Sequence, residues 1–223
     1  MKIGEILQID KGITSIIGGG GKTTLMLTLA QELAEKGTVI ICTSTRILPP
    51  DGIRLVTSNS IEVINEEVTK RRLICVSEGT DEKGKLMPPS MNINELADIA
   101  DYVICEADGA KRLPLKAHAD HEPVIPQSTS QTILVIGADG IGRHINETCH
   151  RPEIYARLAG VKQDEEVTAS IIAKVIEEER LGTKLFINKV ESDVLWTEAK
   201  RISELVKLPT IAGSLRNGEY KCL

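Results

Sequence analysis

The residues of this 223-residue chain that could do chemistry begin with four consecutive glycines, Gly18, Gly19, Gly20 and Gly21, running straight into Lys22, Thr23 and Thr24. A helix start offers N–H groups without partners and the positive end of a dipole, so backbone bare of side chains there can approach an anion closely. Glycine also reaches positive φ without strain. A lysine in this position reaches the β- and γ-phosphates of a nucleotide, and the Thr23 hydroxyl can ligate Mg²⁺. The usual G-x-x-x-x-G-K-[ST] pattern asks for glycine at position 16, where the chain has Ile16, so the loop has the shorter G-x-x-G-K-T-T form. An apolar segment before it and an amphipathic one after it predict a strand, a triphosphate cradle and a helix.

A triphosphate site also needs a metal carboxylate. Glu106 and Asp108 follow the apolar run "YVIC" two residues apart and share a face in extended chain. Either could act on Mg²⁺ directly and the other through water, while Asp-Gly is equally a common turn pair. At the end of another apolar run, "CTSTR" offers Thr43, Thr45 and Arg46 to a phosphate or an attacking group, or simply to solvent. The loop "GAKRLPLKAHADHEPVIP" supplies Lys111, Arg112, Lys116 and His121, cations suited to an anionic substrate or a γ-phosphate, and reads as well as a solvated loop.

All four histidines lie between 118 and 150. Neither His118-x-x-His121 nor His144 with Cys149 and His150 has a second half at zinc-site spacing, so a structural transition metal is not expected. His150, before "RPEIYARLAG", faces a ligand or caps a helix. In "KLFINKVES", Asn188, Lys189 and Glu191 follow an apolar run and resemble the N-K-x-D guanine-reading motif, whose carboxylate accepts from guanine N1 and N2. A strand end followed by a helix capped by Ser192, with Glu191 in solvent, explains the segment too. The expected ligand is a purine nucleoside triphosphate with Mg²⁺, ATP first and GTP second.

The elements that must position these residues are legible as short Ile- and Val-rich runs at 13–17, 38–43, 72–77, 102–107, 132–137, 184–188 and 209–213. They are uniformly apolar rather than alternating, as parallel strands buried on both faces are. Helical patterns fall between them at 22–36, 60–71, 92–100, 164–181 and 193–207, the first with Leu25, Leu29 and Leu33 on one face and Gly37 as its stop. Strand and helix in alternation predict an α/β, three-layer P-loop fold, with a mostly parallel central sheet flanked by helices. The whole of 1–223 reads as one domain, with loop insertions near 79–90 and 107–131, where prolines forbid long helices.

Composition narrows the partners. A formal charge of −5 and only 2% aromatic residues argue against nucleic acid and anionic lipid. No apolar run is long enough to span a bilayer, and the first residues lack a secretory pattern, so a cytoplasmic protein is expected. Cys42, Cys75 and Cys105 sit in apolar runs and read as reduced core cysteines.

In order along the chain, "GGGGKTT", "TSTRILPP", "EADGAKRLPLKAHADHEPVIP", "GADGIGRHI", "HRPEIYARLAG" and "FINKVES" resemble the selenium-dependent hydroxylase accessory proteins called the YqeC family. The resemblance spans about residues 13 to 213, and the "EADG…PLK…HEPVIP" block is its specific part. It implies a P-loop protein acting in maturation of selenium-dependent molybdenum hydroxylases, with the hydroxylase or a selenium or molybdenum-cofactor species as partner. By position it implies phosphate and Mg²⁺ roles for Lys22 and Thr23, the acidic motif at Glu106 and Asp108, and functional places for Lys116, His121, Glu122, Arg143, His150 and Arg151. His118 falls where the family is expected to vary. Three activities fit: NTP hydrolysis or phosphoryl transfer, a non-catalytic nucleotide-switched chaperone, or an ATP-dependent ligase or kinase for a small anionic substrate, whose glycine loop would be analogous to that of the Mur ligases.

Overall fold

The computed structural model describes residues 2–223. Its elements follow in the order α1 (Ile3–Ile6), β1 (Gly12–Gly18), α2 (Lys22–Ala34), β2 (Val39–Thr43), β3 (Arg54–Val56), α3 (Ile61–Arg71), β4 (Leu73–Val76) and β5 (Tyr102–Glu106). After these come β6 (Leu115–Lys116), β7 (Thr129–Gly137), α4 (Ile145–Thr148), β8 (Cys149–His150), α5 (Pro152–Ala159), α6 (Ala169–Glu179), β9 (Lys184–Asn188), α7 (Asp193–Leu205), β10 (Thr210–Ser214) and β11 (Glu219–Cys222). One nine-stranded sheet has the order β11-β10-β9-β7-β1-β5-β2-β4-β3, and β6 pairs with β8 apart from it. Every pairing in the large sheet is parallel except β10 with β11. The fold is thus the expected three-layer α/β architecture.

Alternate residues of each strand serve opposite faces. Ile16, Val135 and Phe186 pack under Leu25, Met26 and Leu29 of α2. On the other face, Ile17, Leu134 and Ile187 pack with Tyr155, Ile172, Ile176 and Ile202 of α5, α6 and α7, while Ile13, Ile40 and Val103 pack with Ile64 and Val68 of α3. Each such fully buried side chain contributes about 1.5–3 kcal/mol. Cys42, Cys75 and Cys105 are free and buried, as expected.

Helix boundaries follow local capping. The Ser60, Thr168 and Ser192 side chains accept from the N–H groups of Val63, Ile171 and Leu195, which starts α3, α6 and α7. The helix expected over 164–181 therefore begins only after Thr168, and the one expected over 92–100 is a 3-10 helix, Ile93–Asp98, opened by the Asn92 side chain. The edge strands β3 and β11 escape the apolar-run criterion because each has an exposed, charged flank.

Because the strands are parallel, their carboxyl ends form one rim. Ile16 stands opposite Glu106, Thr43 opposite Glu106 on its other side, and Gly137 opposite Asn188. The amino ends are tied by Asp101. Its carboxylate accepts from Thr38 N at 2.8 Å, Thr38 Oγ1 at 3.1 Å and Lys11 Nζ at 2.7 Å, and its carbonyl accepts from Gly12 N. Gly37 is bare because a Cβ there would meet Asp101 Oδ2 at 2.5 Å.

The Lys11 and Thr38 hydrogen bonds lower the Asp101 pKa from an ordinary 3.8 to about 2. A carboxyl whose folded pKa is depressed stabilises the fold fully above its unfolded value and loses that contribution as pH falls through the folded one. Asp101→Ala is expected to destabilise the protein by roughly 1–3 kcal/mol at pH 7, about 1 kcal/mol for each hydrogen bond lost. Urea unfolding at a series of pH values checks it. The gap between variant and native protein should close between about pH 4 and pH 2, and a gap independent of pH would refute the assignment.

Candidate functional site

The glycine loop is built from below. Gly18, Gly20 and Gly21 have φ of 96°, 70° and 119°, the region in which only glycine is unstrained. Gly19 N donates to Val135 O at 2.9 Å and Gly20 N to Leu113 O at 3.1 Å, while Gly18 N donates to the Asp108 carboxylate at 2.9 Å. A Cβ on Gly18 or Gly20 would collide with the backbone of Val135 or Gly137, and one on Gly19 would lie 2.7 Å from both Leu113 O and Pro114 O. Asn188 closes the last side, donating from Nδ2 to Gly20 O at 2.8 Å, and a Cβ on Gly21 would lie 2.6 Å from that nitrogen. The glycines are therefore required by packing against β7, the loop after β5 and Asn188 at the end of β9.

What remains open is the helix start. Leu25 N is the first amide of α2 to find a carbonyl, that of Gly21, and the N–H groups of Gly21, Lys22, Thr23 and Thr24 have no acceptor among the described residues. Lys22 is buried beside them. Its Nζ donates to Gly18 O at 2.7 Å and lies 3.0 Å from Asp108 Oδ1 and 3.6 Å from Glu106 Oε1. Thr23 Oγ1 donates to Glu106 Oε2 at 2.7 Å.

The structure separates the two carboxylates. Glu106 is reached by Thr23 and Lys22, and burial pushes its pKa up against the opposing pull of both. Asp108 is fully buried behind it, and its Oδ2 meets Gly18 N, His118 Nε2 at 2.6 Å and Lys116 Nζ at 3.2 Å. Burial alone would raise the Asp108 pKa, but the His118 hydrogen bond and the charges of Lys22 and Lys116 reverse that and hold it well below the carboxylate range. His118 in turn bonds Glu179 through Nδ1 at 2.9 Å and through its backbone N at 2.6 Å. Burial works against charge on His118, and its hydrogen bonds to the two carboxylates outweigh it and raise its pKa.

A second branch leaves through Lys116, held on β6 against His150 of β8. Lys116 Nζ donates to Gly109 O at 2.6 Å and pairs with Glu122 at 3.0 Å, and Glu122 pairs with Arg151 at 2.8 Å. His150 lies alongside with its buried Nδ1 unpartnered, and burial together with the charges of Lys116, Arg151 and Lys111 lowers its pKa.

Of the residues singled out in the sequence, the structure thus gathers Gly18 to Gly21, Lys22, Thr23, Glu106, Asp108, Lys116 and Asn188 at one rim of the sheet. Thr43 is buried at the same rim, with its hydroxyl turned to Glu106 O at 2.9 Å and accepting from Thr45 N. Arg46 is exposed and 3.7 Å from Asp81. His121 and Arg143 are exposed, and no three His, Cys, Asp or Glu side chains converge as a metal cage among the described residues. Lys189 pairs with Asp139 at 2.7 Å, and Glu191 accepts from the buried Ser214 hydroxyl at 2.8 Å while Ser192 caps α7. Sequence reasoning missed His118 and Glu179. The signal available was Glu179 continuing the apolar stripe Ile172–Ile176 of α6.

A parallel sheet with a glycine loop, an open helix start and an acidic neighbouring strand defines an α/β protein of the P-loop type. The profile of the YqeC family, described as YqeC protein, matches residues 14–153, and the chain belongs to that family. It is 28% identical over 183 residues to a protein of Escherichia coli (strain K12) called uncharacterized protein YqeC, an alignment covering 76% of this chain and 72% of the relative. The profile match takes in the glycine loop, both carboxylates and the Lys116–Glu122–Arg151 branch, and ends before Glu179 and Asn188.

Two variants test the division of labour between the carboxylates. Asp108→Asn should destabilise the fold by about 3–5 kcal/mol, since it removes the one charge shared by Lys22, Lys116 and His118 and leaves them with Glu106, Glu122 and Glu179 alone. Glu106→Gln, which keeps an acceptor for Thr23 and leaves Lys22 on Asp108, should cost less than about 1 kcal/mol. Chemical denaturation of both proteins checks the order, and equal losses would show that the carboxylates are interchangeable supports.

Proposed function

We propose that the chain binds a purine nucleoside triphosphate with Mg²⁺ at the glycine loop and hydrolyses it or transfers its γ-phosphoryl group, in the maturation of selenium-dependent molybdenum hydroxylases. The observation that carries the reading is the set of unpartnered N–H groups from Gly21 to Thr24 above a buried lysine. The place in hydroxylase maturation rests on the family resemblance.

The donor set fits Mg²⁺, a hard cation that takes oxygen ligands. Thr23 Oγ1 and the Glu106 carboxylate, already in contact at 2.7 Å, are the residues that would hold it. Bound there, Mg²⁺ neutralises charge on the phosphates. The chain's own contribution is positional: the α2 amides orient the phosphates, Lys22 brings a charge kept dry by burial, and Asp108 keeps Lys22 and Gly18 in place. Asn188, braced between Gly20 O and Leu215 N, sets the β9 end beside the loop, where Glu191 would meet the base.

A thermal-shift screen of nucleotides with Mg²⁺ tests the reading, because a ligand at 100 times its dissociation constant adds about 2.7 kcal/mol of stability. Lys22→Ala takes one of the cations from the buried Asp108, so it is expected to lower the ligand-free stability, and to remove most of the nucleotide-induced shift measured against its own ligand-free midpoint. Unchanged ATP and GTP binding by calorimetry in this variant would sink the proposal. For the base, a guanine preference that collapses in Glu191→Ala supports reading by that carboxylate, and identical ATP-to-GTP ratios place Glu191 away from it.

One observation favours a second reading, a nucleotide-switched chaperone. The chain Gly18–Asp108–His118–Glu179 links the loop to the end of α6, which gives phosphate binding a physical route to a distant surface. Turnover stimulated by an apo-hydroxylase supports the switch, whereas turnover that rises with a small acid supports a ligase or kinase.

A further inference from the structure

Residues Ala110 to Leu113 form a β-turn, closed by Leu113 N donating to Ala110 O at 2.9 Å, and its two central residues are Lys111 and Arg112 with φ of 49° and 64°. A turn with both central residues at positive φ is of the I′ kind, which Asn-Gly fills without strain and a pair of long side chains does not. Arg72 and Arg180 also have positive φ, but they cap the carboxyl ends of α3 and α6, where that conformation is ordinary. The consecutive pair Lys111–Arg112 has no such excuse.

The turn also has a particular address. The next residue, Leu113, gives its carbonyl to Gly20 N, and with Pro114 it presses on Gly19. Arg112 is thus one residue, about 3.8 Å of chain, from the floor of the glycine loop. The turn is fixed from beneath, since Lys116 donates to Gly109 O while buried against Asp108 and Glu122. Both turn side chains are exposed, and neither pairs with a carboxylate among the described residues, in contrast to Lys22, Lys116, Arg151 and Lys189.

We infer that the strained Lys111–Arg112 turn is a cationic finger supplied by the chain itself, which reads the γ-phosphate of the bound triphosphate and stabilises the charge on it. Strain of this sort persists where surrounding structure over-determines it, and two long cations held at such a turn keep their charge beside the cradle without neutralising it in advance. Lys22 supplies charge from the start of α2, and the turn supplies it from the loop after β5. This inference rests on the nucleotide-binding reading of the same loop.

The test compares native protein with Lys111→Asn, Arg112→Gly and the double variant, measuring dissociation constants for Mg²⁺ with ATP, GTP and their diphosphates, and the urea midpoint of each protein. Asn and Gly suit the turn, so the variants should unfold at higher urea. They should also lose at least about tenfold of the preference for triphosphate over diphosphate while diphosphate affinity holds, and any hydrolysis should fall by about 100-fold or more. Variants that are more stable yet keep the full preference overturn the finger and leave nucleotide binding standing. Equal loss of triphosphate and diphosphate affinity overturns it too, by showing that the turn only shapes the loop. Native protein that binds neither nucleotide refutes the underlying reading, and the finger falls with it.

Discussion

The structure around the carboxyl rim depends on a single buried carboxylate. Asp108 has no exposure, yet it is held ionised by the groups that converge on it: the Gly18 amide, Lys22, Lys116 and His118. Burying a charge without partners costs several kcal/mol, and removing one member of a buried pair leaves the other uncompensated. Each of the four groups belongs to a different piece of chain: β1, α2, β6 and the segment after it. One charge therefore fixes the relative positions of the glycine loop, the first helix and the loop that follows β5.

The glycine loop shows the same economy of space. Its amides divide into two sets: those of Gly18, Gly19 and Gly20 are spent on Asp108, Val135 and Leu113, and those from Gly21 to Thr24 have no acceptor among the described residues. A helix start is where amides without intrahelical acceptors gather into one direction. The first set holds the loop still so that the second set points one way. Close packing against Val135, Leu113, Pro114, Gly137 and Asn188 accounts for all four glycines.

How much of this was legible in the sequence depended on the range of each interaction. The parallel strands were readable because burial on both faces leaves an uninterrupted apolar run, as in "VIICT" and "YVICE". The strands β3 and β11 were not, since an edge needs charged residues such as Arg54 and Lys221 that erase the pattern. At the site, Lys22, Thr23 and Glu106 were readable from the spacing around a strand end. His118 was not, because its partners lie at Asp108, 10 residues away, and Glu179, 61 residues away, and no local spacing encodes a contact between a loop and a distant helix end. The roles of Glu106 and Asp108 were inseparable in sequence for a related reason: both sit at the same strand end, and only the packing of the following loop decides which is turned toward Thr23.

The charge arrangement also bears on what kind of ligand the rim can accept. Lys22 lies against Glu106 and Asp108, so the cradle in its resting state is not a bare positive well. A free triphosphate would bring several negative charges toward two carboxylates screened by little water, and at a few ångströms each such pair repels by about 4 kcal/mol at an effective dielectric of 20. The α2 amides and the exposed Lys111 and Arg112 offset part of that. A divalent cation held by Glu106 would turn that repulsion into an attraction, because the carboxylate would then face opposite charge. On the nucleotide reading, the acidic strand end thus selects the metal–nucleotide complex over the free anion. Asp108, already surrounded by cations, stays a structural charge throughout.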